Sequence, residues 1–333
     1  MVSSTSCMPE SYRAQIVRRA RAGSIVGAFT NGGPPSCAGS SSSEWPSPSP
    51  SGFTACGSDD SGSSGSPSST TTASDGGPCG DTPKPAAVTD FEPVKADTLS
   101  VVTSLPGPGF WEGSDSDPTK LDSGYEYDIA KCLQEMFGLA NFNVRNVSFD
   151  AIVAGTATNY DIALTQASIT PERAKVVSFS TQYFESQQGV LTRSDDSITT
   201  LDEAKQANWG VQTGTTAIQL LRSIGVDNPH SYPDLSNAYT ALQAGQVDAV
   251  LIDTAINLGQ AARSNGKLHV TAQFEQPGGP DKYGAIFPKG STNVAPVNAV
   301  FDAMKQSGQL SELVTKDLTA DPGTIPVIQV PSS

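Results

Sequence analysis

From about Thr98 onward, the chain alternates between short apolar segments and amphipathic segments. The segment 99–103 has the apolar, β-branched composition of a strand. Ile129, Leu133 and Met136 recur at the spacing of one helix face. Strands that alternate with helices along a chain favour an α/β architecture with largely parallel sheets.

The charge balance argues against nucleic acid as a partner. The chain carries a formal net charge of −14, so it repels phosphate backbones, and its lysines and arginines form no cluster with interleaved aromatic residues. The longest apolar runs, such as 249–252, fall far short of the roughly 20 residues that span a bilayer. The sequence therefore predicts neither a nucleic-acid-binding protein nor a transmembrane protein.

The residues that metal and nucleophilic chemistry need are scarce. The chain has two histidines and five cysteines, with no Cys-x-x-Cys pair and no His-Glu-x-x-His motif. A Gly-x-Ser-x-Gly elbow is missing, and the glycines at 107–113 do not have the spacing of a dinucleotide fingerprint. We therefore expect no metal site, no cofactor and no catalytic residues.

The first part of the chain differs in composition from the rest. Residues 31–80 consist mostly of Ser, Gly, Pro and Thr, which bury too little apolar surface to offset their ordering entropy. Cys56 follows small residues and precedes an acidic, Ser-rich stretch, which resembles the lipidated cysteine of a bacterial lipoprotein. We interpret 1–55 as a signal-peptide-like region, Cys56 as the lipidation site and 56–97 as a disordered tether.

The signal-peptide-like region is aberrant in its middle. Basic residues at 18–21 and an apolar segment at 25–29 have the order of a signal peptide, but a Pro/Ser-rich tract at 31–52 stands where the apolar core should continue. Either this tract is natively disordered, or its reading is wrong through a frameshift or a misassigned start. The two intact flanks favour the second explanation.

Two residues of opposite charge stand at unusual positions. Arg173 follows Thr170 and Pro171 in what reads as a helix start, where the helix dipole disfavours a cation. Asp253 ends the apolar strand 247–252. Alternatively, Arg173 is a surface residue paired with a nearby carboxylate, and Asp253 only caps the helix that follows.

The segment Gly214-Thr215-Thr216 lies between a predicted strand and a predicted helix. Free backbone N–H groups at such a position bind anions, although Thr215 could be an ordinary N-cap. A fixed cation, a fixed anion and an anion-accepting helix start together match the zwitterionic head of an α-amino acid.

A helix–Gly–strand pattern occurs twice in the chain, at 151–164 and at 241–251. The repeat favours two similar lobes with a ligand between them. Alternatively, it has no such meaning, because the pattern is common in α/β proteins.

Several short motifs of the folded part occur in a recognisable order. They are 124–130, 149–152, 168–173, 179–180, 183–184, 212–216 and 283–284. Over about residues 98–320, they resemble the bacterial extracellular solute-binding proteins of family 3, the amino-acid-binding components of ABC importers. The resemblance implies an α/β, two-lobed periplasmic-binding-protein-like fold of type II, with two crossover strands between the lobes and the ligand in the interlobe cleft. Lobe 1 would comprise 98–186 and 284–325, and lobe 2 would comprise 187–283.

The resemblance also implies roles for individual residues around the ligand head group. Arg173 would clamp the α-carboxylate in a bidentate pair, which lysine does poorly. Ser168, Thr215 and Thr216 would complete the carboxylate site. Asp253 would bind the α-ammonium group.

Further residues would surround the rest of the ligand. Phe149 would pack flat on it, and either Phe110 or Trp111 would cover its other face. Gln166 stands where family members commonly have a small hydroxyl residue, so it bears on side-chain selectivity.

As a member of this family, the chain would be the substrate-binding component of an ABC importer. It would close by a hinge motion on a free α-amino acid and deliver it to the permease subunits. We expect a monomer outside the cytoplasm, held at the outer face of the cytoplasmic membrane by its lipid. Two alternatives remain: a dehydratase-like enzyme on the same fold, with Glu112 or Glu185 as general acid, and a scaffold or signalling lipoprotein without amino-acid affinity.

Cys79 and Cys132 are candidates for a disulfide. If Cys56 carries the lipid and the preceding residues are removed, these are the two other cysteines of the mature protein, and an oxidising exterior favours their pairing. Alternatively, Cys132 is a buried free thiol, because it lies on the apolar stripe of its predicted helix.

Overall fold

The structure, a computed structural model, describes residues 77–331 except 115, 277 and 319–323. The predicted signal-peptide-like region 1–55, the lipidation site Cys56 and the first part of the tether lie outside the described residues. Within the described ranges, no helix combines the length and the apolar character that crossing a bilayer requires.

The strands and helices follow one another in the alternation that the sequence predicts. The strands are β1 (Thr98–Thr103), β2 (Asn141–Asn146), β3 (Ile162–Ala163), β4 (Val177–Ser186), β5 (Gln188–Arg193), β6 (Trp209–Gln212), β7 (His230–Tyr232), β8 (Ala249–Asp253), β9 (Leu268–Glu275), β10 (Asp281–Pro288) and β11 (Val327–Gln329). The α-helices are α1 (Tyr125–Phe137), α2 (Phe149–Val153), α3 (Leu201–Gln206), α4 (Ala217–Ser223), α5 (Leu235–Gln243), α6 (Thr254–Arg263), α7 (Val294–Ser307) and α8 (Gln309–Asp317). Short 3₁₀ helices span Ala86–Asp90, Pro118–Lys120 and Arg173–Lys175.

The strands form two sheets, each the centre of one lobe. The sheet of lobe 1 has the order β2-β1-β3-β10-β4, and the sheet of lobe 2 has the order β11-β9-β5-β8-β6-β7. The chain passes from lobe 1 to lobe 2 between β4 and β5, and it returns between β9 and β10. This is the two-lobed α/β architecture that the sequence predicts, with the two predicted crossovers and a third passage to lobe 2 before β11.

The predicted lobe boundary at 283/284 is displaced, and a strand beyond the predicted lobes joins lobe 2. Residues 281–283 belong to β10, which pairs antiparallel with β4, so they are part of lobe 1 and not of lobe 2. After α8 the chain returns to lobe 2, because β11 pairs parallel with β9. Both differences depend on strand pairing between residues far apart in sequence, which local patterns do not report.

Residues 77–97 are ordered against lobe 1, which corrects the prediction of a disordered tether over this part of 56–97. Cys79 is buried and forms a disulfide with Cys132 of α1. Phe91 stacks on Phe137, with ring centroids 4.0 Å apart. A covalent bond and a packed aromatic ring together offset the ordering entropy of a segment whose composition is unfavourable.

Reduction of the disulfide is expected to lower the free energy of unfolding by up to about 4 kcal/mol, because the bond joins residues 53 positions apart and closes a long loop in the unfolded chain. Urea unfolding with and without a reducing agent measures the change. The Cys79→Ser variant is the control, since its stability should no longer respond to the reducing agent. Equal stability of the wild-type protein under both conditions would contradict the expectation.

Candidate functional site

A cavity lies between the two lobes, at the carboxyl ends of β6 and β8. Seven of the residues predicted to bind the ligand line this cavity: Phe149, Gln166, Ser168, Arg173, Thr215, Thr216 and Asp253. It is also lined by residues that the sequence did not single out: Ser104, Pro106, Thr165, Gln212, Leu235, Ile252 and Ile256. Both lobes therefore contribute to one site.

Arg173 is fixed in the cavity wall by two backbone carbonyls, one from each lobe. Its Nη1 donates to the Ser168 carbonyl oxygen at 2.7 Å, and its Nη2 donates to the Gly214 carbonyl oxygen at 2.9 Å. The guanidinium carbon lies 5.2 Å from the centroid of the Phe149 ring. The side chain is thus held in one orientation, and Arg173, only 9% exposed, is not a surface residue.

Asp253 is buried at the end of β8 and does not act as a helix cap through its side chain. It is the residue before α6, but its carboxylate makes no capping hydrogen bond to that helix. Instead, Asp253 Oδ1 accepts a hydrogen bond from Gln188 Nε2 at 3.3 Å. The carboxylate is therefore available to the cavity that it lines.

The electrostatic surroundings of Asp253 disfavour its charge in the absence of a ligand. Burial raises the pKa of Asp253 well above its usual range, and the negative charge of Asp281 adds to this, while Tyr283 and Arg173 act in the opposite direction. Burial lowers the pKa of Arg173, and the charges of Asp253 and Asp281 oppose that change. The guanidinium stays protonated in proteins, so the cavity holds a permanent cation and a carboxylate that an added cation would keep ionised.

The turn between β6 and α4 has its hydroxyl groups engaged by the protein. Thr215 Oγ1 donates to the Gln212 carbonyl oxygen at 2.7 Å, and Thr216 Oγ1 donates to Asp281 Oδ2 at 3.2 Å. Thr216 precedes α4 without a side-chain capping hydrogen bond. The interpretation of Thr215 as an ordinary N-cap is therefore wrong, and both threonine hydroxyls are oriented by acceptors of the protein.

Gln188 and Asp281, which sequence reasoning missed, connect these groups at the two crossovers. Gln188 is the first residue of β5, and its Nε2 lies 2.6 Å from Asp281 Oδ2, 3.2 Å from Thr216 Oγ1 and 3.3 Å from Asp253 Oδ1. Asp281 is the first residue of β10. Their partners lie between 28 and 93 positions away along the chain, so no local signal identifies them.

Phe110 and Trp111, one of which was predicted to cover the ligand, do not line the cavity and are fully buried in lobe 1. Trp111 Nε1 donates to Glu126 Oε2 at 2.7 Å, and the Phe110 ring packs edge-on against Tyr125. The wall residues that the same loop supplies are Ser104 and Pro106. The two aromatic rings belong to the core because their partners on α1 and β4 cover them completely.

Gln166 is held in place from behind by the buried carboxylate of Glu126. The backbone N–H of Gln166 donates to Glu126 Oε1 at 2.8 Å, and its Nε2 donates to Glu126 Oε2. Burial raises the pKa of Glu126 to about 7, although hydrogen bonds from Tyr183, Gln166 and Trp111 oppose this. Glu126 is thus a positioning group behind the wall and not part of the wall.

The lobes also touch outside the cavity. Arg263, at the end of α6 in lobe 2, forms an ion pair with Glu112 of lobe 1. Gly259, also on α6, lies so close to Pro108 of lobe 1 that an added Cβ would come within 2.8 Å of the Pro108 carbonyl. The lobes are therefore in direct backbone contact at this edge of the cleft.

The family of the chain follows from comparison with known proteins. The sequence model of a protein family, the bacterial extracellular solute-binding proteins, family 3, matches residues 115–319, which are more than half of the chain. The chain belongs to this family. As a family 3 solute-binding protein, it has a solute-binding role outside the cytoplasm, and the family is not one of enzymes. Glu112 and Glu185, the two candidate general acids, are not among the described residues that line the cavity.

Relatives of this family 3 protein are named for amino acids. It is 28% identical to ABC transporter arginine-binding protein 1 of Escherichia coli (strain K12) over 200 residues, which are 57% of this chain and 79% of that protein. It is 29% identical to ABC transporter glutamine-binding protein GlnH of Bacillus subtilis (strain 168) over 209 residues, 60% of this chain and 74% of that protein. Among solved structures, an ancestral arginine-binding protein bound to glutamine matches with a TM-score of 0.59 and 28% identity, covering 67% of this chain and 98% of that one. The fold and the solute-binding role are therefore shared with amino-acid-binding proteins.

Proposed function

We propose that the protein binds a free α-amino acid in the interlobe cavity and delivers it to the permease subunits of an ABC importer. The names of the relatives, which include arginine-, cystine- and glutamine-binding proteins, support the ligand class. The proposed ligand is zwitterionic, so it needs a cation and an anion in the same cavity.

The pairing of Arg173 with Asp253 carries this proposal. Both residues are buried, both line one cavity, and each affects the pKa of the other. Arg173 binds the α-carboxylate, and Asp253 binds the α-ammonium group. Binding relieves the unfavourable burial of the Asp253 charge, because an ammonium group next to a carboxylate favours its ionised form.

Ser168, Thr215, Thr216 and Phe149 complete the proposed head-group site. Ser168 and the β6–α4 turn flank Arg173 on either side, since Arg173 donates to the carbonyls of Ser168 and Gly214. The Phe149 ring lies below the guanidinium and provides a flat apolar surface for the ligand backbone.

The contacts between the lobes support a hinge motion as the means of ligand capture. Arg173 of lobe 1 reaches Gly214 of lobe 2, and Gln212 Nε2 of lobe 2 lies 3.4 Å from Ser104 Oγ of lobe 1. A ligand that bridges the lobes stabilises the closed arrangement and so shifts the population toward it. We further propose that the protein works as a monomer on the outer face of the cytoplasmic membrane, anchored through a lipid on Cys56.

A screen of the twenty amino acids by thermal shift, followed by isothermal titration calorimetry of the positives, tests the proposed function. At least one amino acid should raise the melting temperature, because a ligand that binds only the folded state stabilises it. If none of the twenty binds, the protein is not an amino-acid receptor.

Asp253→Asn is expected to weaken the binding of α-amino acids by about 2–3 kcal/mol, or between about 30- and 150-fold in affinity. The substitution removes the negative charge that attracts the ammonium group but keeps the shape of the side chain. The deaminated analogue of the same ligand should lose much less affinity. Calorimetry with both ligands measures the difference, and Asp248→Asn, an equivalent change outside the cavity lining, serves as the control. Equal losses for both ligands would show that Asp253 does not bind the ammonium group.

A further inference from the structure

The cavity contains few ionisable groups beyond those assigned to the ligand head group. Among the described residues that line it, Arg173 and Asp253 are the ones with an ionisable side chain. In the proposed function, both are used by the α-carboxylate and the α-ammonium group. The part of the cavity that faces the ligand side chain is therefore lined by uncharged groups.

These uncharged groups include several that form hydrogen bonds. Gln212 Nε2 lies 3.4 Å from Ser104 Oγ, so a carboxamide and a hydroxyl from opposite lobes meet in the wall. Gln166 Nε2 donates a hydrogen bond to Glu126. The side-chain carbonyl oxygen of Gln166 remains as an acceptor. Leu235 and Ile256 form an apolar part of the same wall.

Two carboxylates behind the cavity wall, those of Glu126 and Asp281, are already engaged by the protein, and two more, those of Asp150 and Glu172, line an adjoining pocket rather than this cavity. Glu126 accepts hydrogen bonds from Trp111, Tyr183 and Gln166, and it is fully buried behind Gln166. Asp281 accepts hydrogen bonds from Gln188 and Thr216. Neither lines the cavity, so neither offers a free carboxylate to a cationic side chain.

We infer that the ligand is an α-amino acid whose side chain is uncharged and forms hydrogen bonds, namely a carboxamide or a hydroxyl. This inference rests on the proposed function. A guanidinium, ammonium or carboxylate side chain would be buried here without a countercharge, which is far more costly than the burial of a neutral group that finds hydrogen-bond partners. A purely aliphatic side chain would leave the carboxamides and the hydroxyl of the wall without a ligand partner.

Calorimetry of the full chain with glutamine, asparagine, serine and threonine against arginine, lysine, glutamate, aspartate and leucine tests the inference. The tightest ligand should belong to the first group, and each charged amino acid should bind at least about a hundredfold more weakly than it. If a charged amino acid or leucine binds most tightly, the inferred preference for an uncharged polar side chain is wrong, while the proposed function stands. If no amino acid binds, the proposed function itself fails.

A gain of function provides a second, independent test. Gln212→Glu places a carboxylate in the side-chain part of the cavity, so the affinity for arginine should rise by at least about tenfold relative to that for glutamine. Gln206→Glu adds the same charge at an exposed position of α3 in the same lobe, and it should leave the ratio unchanged. An unchanged ratio in Gln212→Glu, with native thermal unfolding, would show that Gln212 does not face the ligand side chain and would overturn the inference.

Discussion

Arg173→Ala is expected to abolish measurable binding of the amino acid. The change removes a charge-assisted bidentate contact and leaves the ligand carboxylate buried without a countercharge, which together are worth about 3–5 kcal/mol, or between about a hundred- and a few thousandfold in affinity. Calorimetry measures the affinity, and circular dichroism checks that the variant is folded. The fold should persist, because the two charge-assisted hydrogen bonds that Arg173 makes to backbone carbonyls contribute about 1.5–3 kcal/mol each, against a total stability of about 5–15 kcal/mol.

The chain offers a closely matched control for this variant. Arg145 on β2 also donates to two backbone carbonyl oxygens, those of Thr158 and Asn159, but it is exposed and lies outside the cavity. Arg145→Ala should therefore leave the affinity unchanged. Arg173→Lys should fall between the wild type and the alanine variant, since lysine keeps the charge but loses the bidentate geometry. If Arg173→Ala binds the ligand as well as Arg145→Ala does, Arg173 is not the carboxylate site.

The sequence was informative wherever a pattern is local. The apolar stripe of α1 predicted its position because a helix face repeats every three to four residues, and Ile129, Leu133 and Met136 are all buried. The segment 170–173 and the turn 214–216 were identified as parts of one site, and Arg173, Thr215 and Thr216 from them do line one cavity. Short motifs are readable because the residues that determine their backbone geometry are sequence neighbours.

Other features depend on contacts that no local pattern encodes. The position of β9 between β11 and β5 is one of them, because it is set by pairing with strands far away along the chain. Gln188 and Asp281 are unremarkable in sequence, and they gain their role only when the two crossovers bring them together.

The aromatic residues of the first loop illustrate a third limit. Phe110 and Trp111 have the chemistry of ligand-stacking residues, but the same rings fill a core equally well. The fold decides between the two uses, since α1 supplies Tyr125 and Glu126 as partners for them. A motif therefore locates the cavity more reliably than it identifies each residue in the wall.

A bulky side chain at position 259 is expected to weaken ligand binding although the residue touches no part of the proposed head-group site. In the structure an added Cβ would lie 2.8 Å from the backbone of Pro108 in the opposite lobe, and backbone atoms cannot move aside as a flexible side chain can. Gly259→Leu should thus disfavour closure while favouring α6 itself, because leucine has a higher helix propensity than glycine. The apparent affinity falls in proportion to the population of the closed state. If the leucine side chain makes closure less favourable by about 3 kcal/mol, the affinity falls by roughly 150-fold.

Small-angle X-ray scattering with and without the amino acid separates this effect from damage to the site. The wild-type protein should become more compact when the ligand is added, and Gly259→Leu should not. Ala262→Leu introduces the same side chain on an exposed position of the same helix, so it should behave like the wild type in both affinity and scattering. Full affinity in Gly259→Leu would mean that ligand capture does not require the lobes to meet at α6. A leucine side chain between α6 and Pro108 would otherwise oppose closure and lower the affinity.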